Sequence, residues 1–169
     1  MDFNLGHAGS PRGEATAANA LSLFRDRRDR LGCGFAALLH YSAGMHGLHL
    51  TADLYQCRCD AAWLTDAPRL AHWCLQAVHT VGLHPVNQLF HSFPAGPQGP
   101  GGVTATVLLA ESHVSLHTWP GQRAVTLDVY VCNFADDHSG KARNLMTALV
   151  DRFQPEWTEQ RSLDRGDGE

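Results

Sequence analysis

A chain of 169 residues is long enough for one domain with a real core and too short for two sizeable ones. Its 13 basic and 17 acidic side chains sum to −4, with no run of lysine and arginine along the apolar segments, so nothing recruits a phosphate backbone and nucleic acid is excluded as a partner. No stretch approaches the roughly 20 apolar residues of a membrane-spanning helix, and the opening MDFNLGHAGSPRGEA lacks the apolar run of a signal peptide; the expectation is a soluble, cytoplasmic protein with no membrane partner.

Residues 1–30 are polar and end in the alternating run Arg25, Asp26, Arg27, Arg28, Asp29, Arg30, which predicts a solvated extension with no chemistry of its own. The domain is expected over residues 31–155. Its first strand is predicted at 48–55, where Leu48, Leu50, Ala52 and Leu54 alternate with His49, Thr51, Asp53 and Tyr55 as a half-buried strand requires. Trp63, Ala67, Leu70, Ala71, Cys74, Ala77, Val78 and Val81 then fall at helical spacing, with Thr65 and Asp66 as cap candidates and Gly82 as the stop. A short strand over 86–93 leads into PAGPQGPGG at 94–102, whose glycines and prolines read as a loop. Further strands are predicted at 103–111, 112–119 and 124–132; in the last, Val125, Leu127, Val129 and Val131 oppose Thr126, Asp128, Tyr130 and Cys132. A final helix carries Ala142, Leu145, Met146, Leu149, Val150 and Phe153 on one stripe, behind Asp136, Asp137 and Ser139 as caps. Residues 156–169 are polar and rich in glycine and aspartate and are expected to fray at the surface.

This pattern is that of an α+β domain in two layers, a mainly antiparallel sheet with two helices on one face. The other face carries His49, Asp53, Tyr55, His113, Ser115, His117, Asp128, Tyr130 and Cys132, too polar for a core and too aromatic for a bare surface. It reads as an active face, a dimer surface, or both. Five cysteines, Cys33, Cys57, Cys59, Cys74 and Cys132, form an odd set with no CxxC pair, so reduced thiols are expected. Eleven histidines do not by their number indicate a metal. Taken singly, Cys132 reads as a strand cysteine, His117 as a hydrogen-bonded histidine and Ser112 as a serine at a strand end.

Their joint spacing reads differently. Residues 108–132 run LLAESHVSLHTWPGQRAVTLDVYVC, residues 47–57 run GLHLTADLYQC, and His91-Ser92-Phe93 precedes the glycine-rich loop. These segments resemble, in order, the Glu-Ser-His-x-(Ser/Thr)-x-His-Thr-(Trp/Tyr)-Pro run, the Gly-x-His-Leu strand and the His-x-Phe of bacterial S-adenosylmethionine decarboxylases, a pyruvoyl-dependent proenzyme family; the likeness spans residues 47–153. The resemblance implies that the chain cleaves its own Glu111–Ser112 bond, Ser112 attacking the preceding carbonyl and ending as a pyruvoyl group that forms a Schiff base with the substrate. It gives His117 the proton abstraction that drives elimination, Cys132 the reprotonation of the substrate carbon, Thr104 a supporting hydroxyl in cleavage, and Phe93 a stacking face for adenine.

One residue departs from the pattern. Gly121 follows Trp119-Pro120 where the family usually has a glutamate for the ribose hydroxyls, so the substrate is the open point. The first reading is an S-adenosylmethionine decarboxylase serving spermidine synthesis, the alternative a pyruvoyl-dependent arginine or ornithine decarboxylase, and a third an unprocessed regulatory homologue. No metal or diffusible cofactor is expected. A zinc site of His113, His117 and Cys132 lacks a fourth ligand and the helical HExxH context, and the GxSxG elbow of a serine hydrolase is absent. On strand parity Ser112 and His117 face opposite sides, so the resemblance requires a bend or break between them. Because two helices cover one face only, cleaved protomers are expected to pair as a homodimer, an αββα sandwich with equivalent sites.

Overall fold

A computed structural model describes residues 46–166 other than 98, 111 and 135. The extension at 1–30, the start of the domain at 31–45, Cys33 and Glu111 lie outside the described residues. In chain order the elements are β1 (Gly47–Tyr55), α1 (Ala62–Thr65), α2 (Ala67–Thr80), β2 (Pro85–Ser92), β3 (Val103–Leu109), β4 (His113–Trp119), a 3-10 turn at Pro120–Gln122, β5 (Ala124–Cys132), α3 (Ser139–Phe153) and β6 (Trp157–Arg165). The six strands form one antiparallel sheet in the order β2-β3-β4-β5-β1-β6.

Alternation decides which face is buried. Leu48, Leu50, Ala52 and Leu54 of β1 and Val125, Leu127, Val129 and Val131 of β5 are buried, and they pack with Leu70, Cys74 and Val78 of α2 and Leu145, Leu149 and Phe153 of α3. The sheet is therefore sided and the fold is α+β in two layers, as its sequence pattern implies.

The differences from expectation have local causes. The helix predicted from Trp63 onward is interrupted at Asp66, whose extended backbone and carboxylate cap α2 by accepting the Arg69 N–H at 2.9 Å, with Pro68 in the first turn. Gly82, at φ +76°, follows the end of α2. Strands expected at 103–111 and 112–119 stop at Leu109 and start at His113, because the Leu109 N–H donates to the Ser112 carbonyl at 2.9 Å and closes a tight turn. The residue at the N-cap of α3 is His138, which makes no side-chain cap bond; Asp137 instead accepts the Ser139 N–H at 2.9 Å.

The tail at 156–169 requires the largest correction. Trp157–Arg165 do not fray; they pair along the whole of β1, from Tyr55 opposite Trp157 to Gly47 opposite Arg165. Almost every residue of β6 is exposed, and its polar composition is that of an edge strand.

Thr118 fastens the layers together. Its Oγ1 accepts the Val103 N–H at 2.7 Å and donates to the Leu64 carbonyl at 2.6 Å, joining β3, β4 and α1 inside the core. Thr118→Val keeps the volume and strands both backbone groups, so it should lower the unfolding free energy by about 2–4 kcal/mol, read as a shifted urea midpoint at unchanged slope. A shift within error would mean that solvent replaces both bonds.

Candidate active site

Ser112 lies just outside β4, at the mouth of the β3–β4 turn. Its Oγ accepts the backbone N–H of Cys132 at 3.4 Å, which fixes the two residues against each other although they are 20 apart in sequence. Both line a cavity of about 90 Å³ with Leu109, His84, His138 and Lys141. The connection from β5 to α3 reaches this cavity because Asn133 folds it back: Asn133 Oδ1 accepts the His138 N–H at 2.9 Å and Nδ2 donates to Ser139 Oγ at 3.0 Å. Lys141 Nζ donates to the Gly82 carbonyl at 3.2 Å, tying the first turn of α3 to the end of α2.

One row along the open face stand His113, Tyr130 and His49, cross-strand neighbours on β4, β5 and β1. The Tyr130 ring lies 5.9 Å from that of His49 and 5.5 Å from that of His113, and His49 Nε2 is hydrogen-bonded to Asp128 Oδ1. Gly47, opposite Cys132, makes room for this row: a Cβ there would come within 2.6 Å of the Val131 carbonyl and 3.2 Å of the Tyr130 hydroxyl. Burial and the neighbouring Cys132 thiol push the Tyr130 hydroxyl above the ordinary phenol value, so it stays protonated beside that thiol.

The remaining candidates lie at the opposite end of β4. Thr104 and His117 are cross-strand partners, and Thr104 Oγ1 is 2.8 Å from His117 Nδ1, a bond that leaves Nε2 free. They open on a groove of about 810 Å³ with Phe93, Trp119, Pro120 and Gly121. Its glycine-rich wall sits close to the sheet; a Cβ on Gly102 would fall 2.0 Å from the Thr118 carbonyl oxygen. No described residue lining the groove is acidic, so nothing among them replaces a glutamate at Gly121.

Two half-sites thus occupy one chain. Ser112 and Cys132 meet at one end; Thr104, His117 and Phe93 meet at the other. Ser112 and His117 are five positions apart, about 16 Å of extended chain at about 3.3 Å per residue. No bend occurs within β4, which is regular from His113 to Trp119 with His113, Ser115 and His117 on the open face; Ser112 lies before its first residue. His113, His117 and Cys132 consequently form no common site. Among the described residues the grouping that could hold a cation is a different one, His49, His113 and Asp128, whose ligand atoms lie within 4.8 Å of one another.

Sequence reasoning missed His84, His138 and Lys141 around Ser112. No motif marks them; only the folding back of the β5–α3 connection and the end of α2 brings them there. Cys57 and Cys74 lie in the core. Burial, with Cys59 adding to it, raises the Cys57 thiol to about 11, and burial alone raises Cys74 to about 12, so both stay protonated thiols near neutral pH.

Comparison with known proteins gives a consistent picture. The profile of the S-adenosylmethionine decarboxylase family matches residues 48–166. The chain is 33% identical over 121 residues to the S-adenosylmethionine decarboxylase proenzyme of Hydrogenobaculum sp., covering 71% of this chain and 81% of that one. It is 32% identical over 103 residues to the arginine decarboxylase proenzyme of Pyrobaculum arsenaticum, covering 61% and 74%. The crystal structure of adenosylmethionine decarboxylase from Aquifex aeolicus superposes with a TM-score of 0.62 at 31% identity, over 75% of this chain and 96% of that one.

Proposed function

Because the chain belongs to the S-adenosylmethionine decarboxylase family, we propose that it cleaves itself before Ser112 and acts as a pyruvoyl-dependent decarboxylase of S-adenosylmethionine, supplying the aminopropyl donor for spermidine synthesis. The observation that carries this reading is the contact between Ser112 and Cys132. A serine at a tight turn, its oxygen held by a backbone N–H and its cavity shared with a half-buried thiol, fits the precursor of such a group. A pyruvoyl carbonyl at that position supplies the sink for the electrons released as carbon dioxide leaves.

The other roles fall to the chain's own side chains. Cys132 presents its thiol beside Ser112, next to the protonated Tyr130. His117, oriented by Thr104, exposes Nε2 to take or return a proton during cleavage. Phe93 and Trp119 present flat apolar faces in the groove. No step of this chemistry is assigned to a metal.

The same geometry supports a homodimer. The open face exposes Leu89, Leu108, Trp119, Trp157 and Leu163, more apolar surface than a lone sheet face needs. A twofold axis between two such sheets and across their strands would lay the Ser112–Cys132 end of one protomer on the Thr104–His117 end of its partner, completing two equivalent sites. Water would be excluded at the same stroke.

A second substrate, arginine or ornithine, is suggested by the relative from Pyrobaculum arsenaticum, named an arginine decarboxylase proenzyme. An aromatic groove with no acidic side chain among its described residues favours a flat nucleoside over a guanidinium, which calls for a carboxylate. Intact-mass analysis should find two pieces, 1–111 and 112–169, the second blocked by a ketone, and carbon dioxide should be released from carboxyl-labelled S-adenosylmethionine rather than arginine or ornithine. A stable full-length chain would instead favour an unprocessed regulatory homologue, and release from arginine the second substrate.

A further inference from the structure

The imidazole of His138 stands in the Ser112 cavity with one ring nitrogen unpaired. Its Nδ1 is shut off from solvent and pairs with no protein atom, while its backbone N–H is pinned to Asn133 at 2.9 Å. A buried polar atom without a partner calls for an explanation, and here it belongs to a side chain that lines the same small cavity as Ser112 and Cys132. About 90 Å³ gives room for about three waters at their liquid volume, enough to carry a proton between two of the walls. The Ser112 oxygen already accepts the Cys132 N–H, so its own hydrogen is free to turn into that cavity.

We propose that His138 is the proton acceptor for the Ser112 hydroxyl in self-cleavage, acting across this cavity; the inference rests on the cleavage proposed above. The step balances without a co-reactant. Ser112 Oγ gives its proton through water to the imidazole and bonds to the carbonyl carbon that precedes it; the C–N bond breaks; the imidazolium returns the proton to the released Ser112 nitrogen. Peptide becomes ester with no net change in protons. The charged or titratable groups facing His138 are His84 from the α2–β2 loop, Cys132 from β5, Lys141 from the first turn of α3, and Asp137 beside it.

The test follows chain cleavage by intact mass in freshly refolded protein, so no measurement depends on turnover. The wild-type chain should cleave itself under these conditions. His138→Gln should slow it by at least about 100-fold while melting normally, and in His138→Ala added imidazole should restore a large part of the loss. Cleavage of His138→Gln at the wild-type rate would overturn the proposal and leave the proposed function standing. So would slow cleavage in His138→Ala that imidazole does not touch, or loss of the fold in both variants, since either outcome makes His138 architectural. A wild-type chain that never cleaves would remove both this inference and the reading beneath it.

Discussion

Ser112→Ala should remain a single full-length chain and release no carbon dioxide, a loss on the order of 10³-fold or more, whereas Cys132→Ala should still split in two and then turn over poorly. The contrast follows from what each side chain supplies. Without its oxygen, residue 112 has nothing to add to the preceding carbonyl, and neither the ester nor the group derived from it can form. The fold should survive, because the one native bond lost is a 3.4 Å contact from the Cys132 amide at the end of β5, about 1 kcal/mol at most. Cys132 touches Ser112 through its backbone N–H, which alanine retains, so cleavage continues. What alanine lacks is the proton on Sγ, and loss of a positioned acid costs on the order of 10²–10⁴ in rate. Mass spectrometry for cleavage and a labelled-carboxyl assay for turnover separate the two variants. Unchanged turnover in Cys132→Ala would reduce that residue to packing, and cleavage of Ser112→Ala would end the self-processing reading.

Much of this architecture can be read from alternation. A sheet covered on one side writes its burial as a period of two, and β1 and β5 show it without interruption from Leu48 to Leu54 and from Val125 to Val131. The two long helices announce themselves by the stripes that meet that face, and Asp66 by its place before Pro68. β6 carries no such mark. Largely exposed, it pairs with β1 through backbone groups, and hydrogen bonding of a backbone leaves no trace in side-chain pattern; the side chains that hold it, Trp157 stacked on Tyr55 at 4.0 Å and Arg161 paired with Asp53 at 3.2 Å, follow no period. The candidate site divides in the same way. The resemblance to the family's motifs singles out Ser112, His117 and Cys132, and strand parity already sets the first two at odds. Alternation says nothing about which copy of the chain a side chain serves, so the resolution of that conflict lies beyond a single sequence. His138 is hidden for a related reason, since its place beside Ser112 depends on the hydrogen bonds of Asn133.

Co-expression of Ser112→Ala with His117→Ala chains should rescue activity that neither has alone. Within one protomer about 16 Å of extended chain separates these two residues, so a single chain cannot bring them to one substrate without breaking β4. If each site takes Ser112 and Cys132 from one protomer and Thr104 and His117 from the other, the mixed dimer has one site with both wild-type residues and one with neither. Random pairing makes half the dimers mixed, and about a quarter of the wild-type number of sites is then intact. Cleavage should follow the same rule: the His117→Ala chain, which keeps its serine, is split only when paired with the other variant, and the Ser112→Ala chain never is. Joint folding matters, because sheets already sealed face to face would exchange slowly. The competing arrangement is a monomer whose open face is closed by its own extension or by substrate, in which every chain carries its own defect and mixing restores nothing. Light scattering at micromolar concentration gives the independent check: a fully active monomer would exclude the shared site, and a dimer without rescue would mean that the twofold axis runs along the strands and keeps the two ends apart.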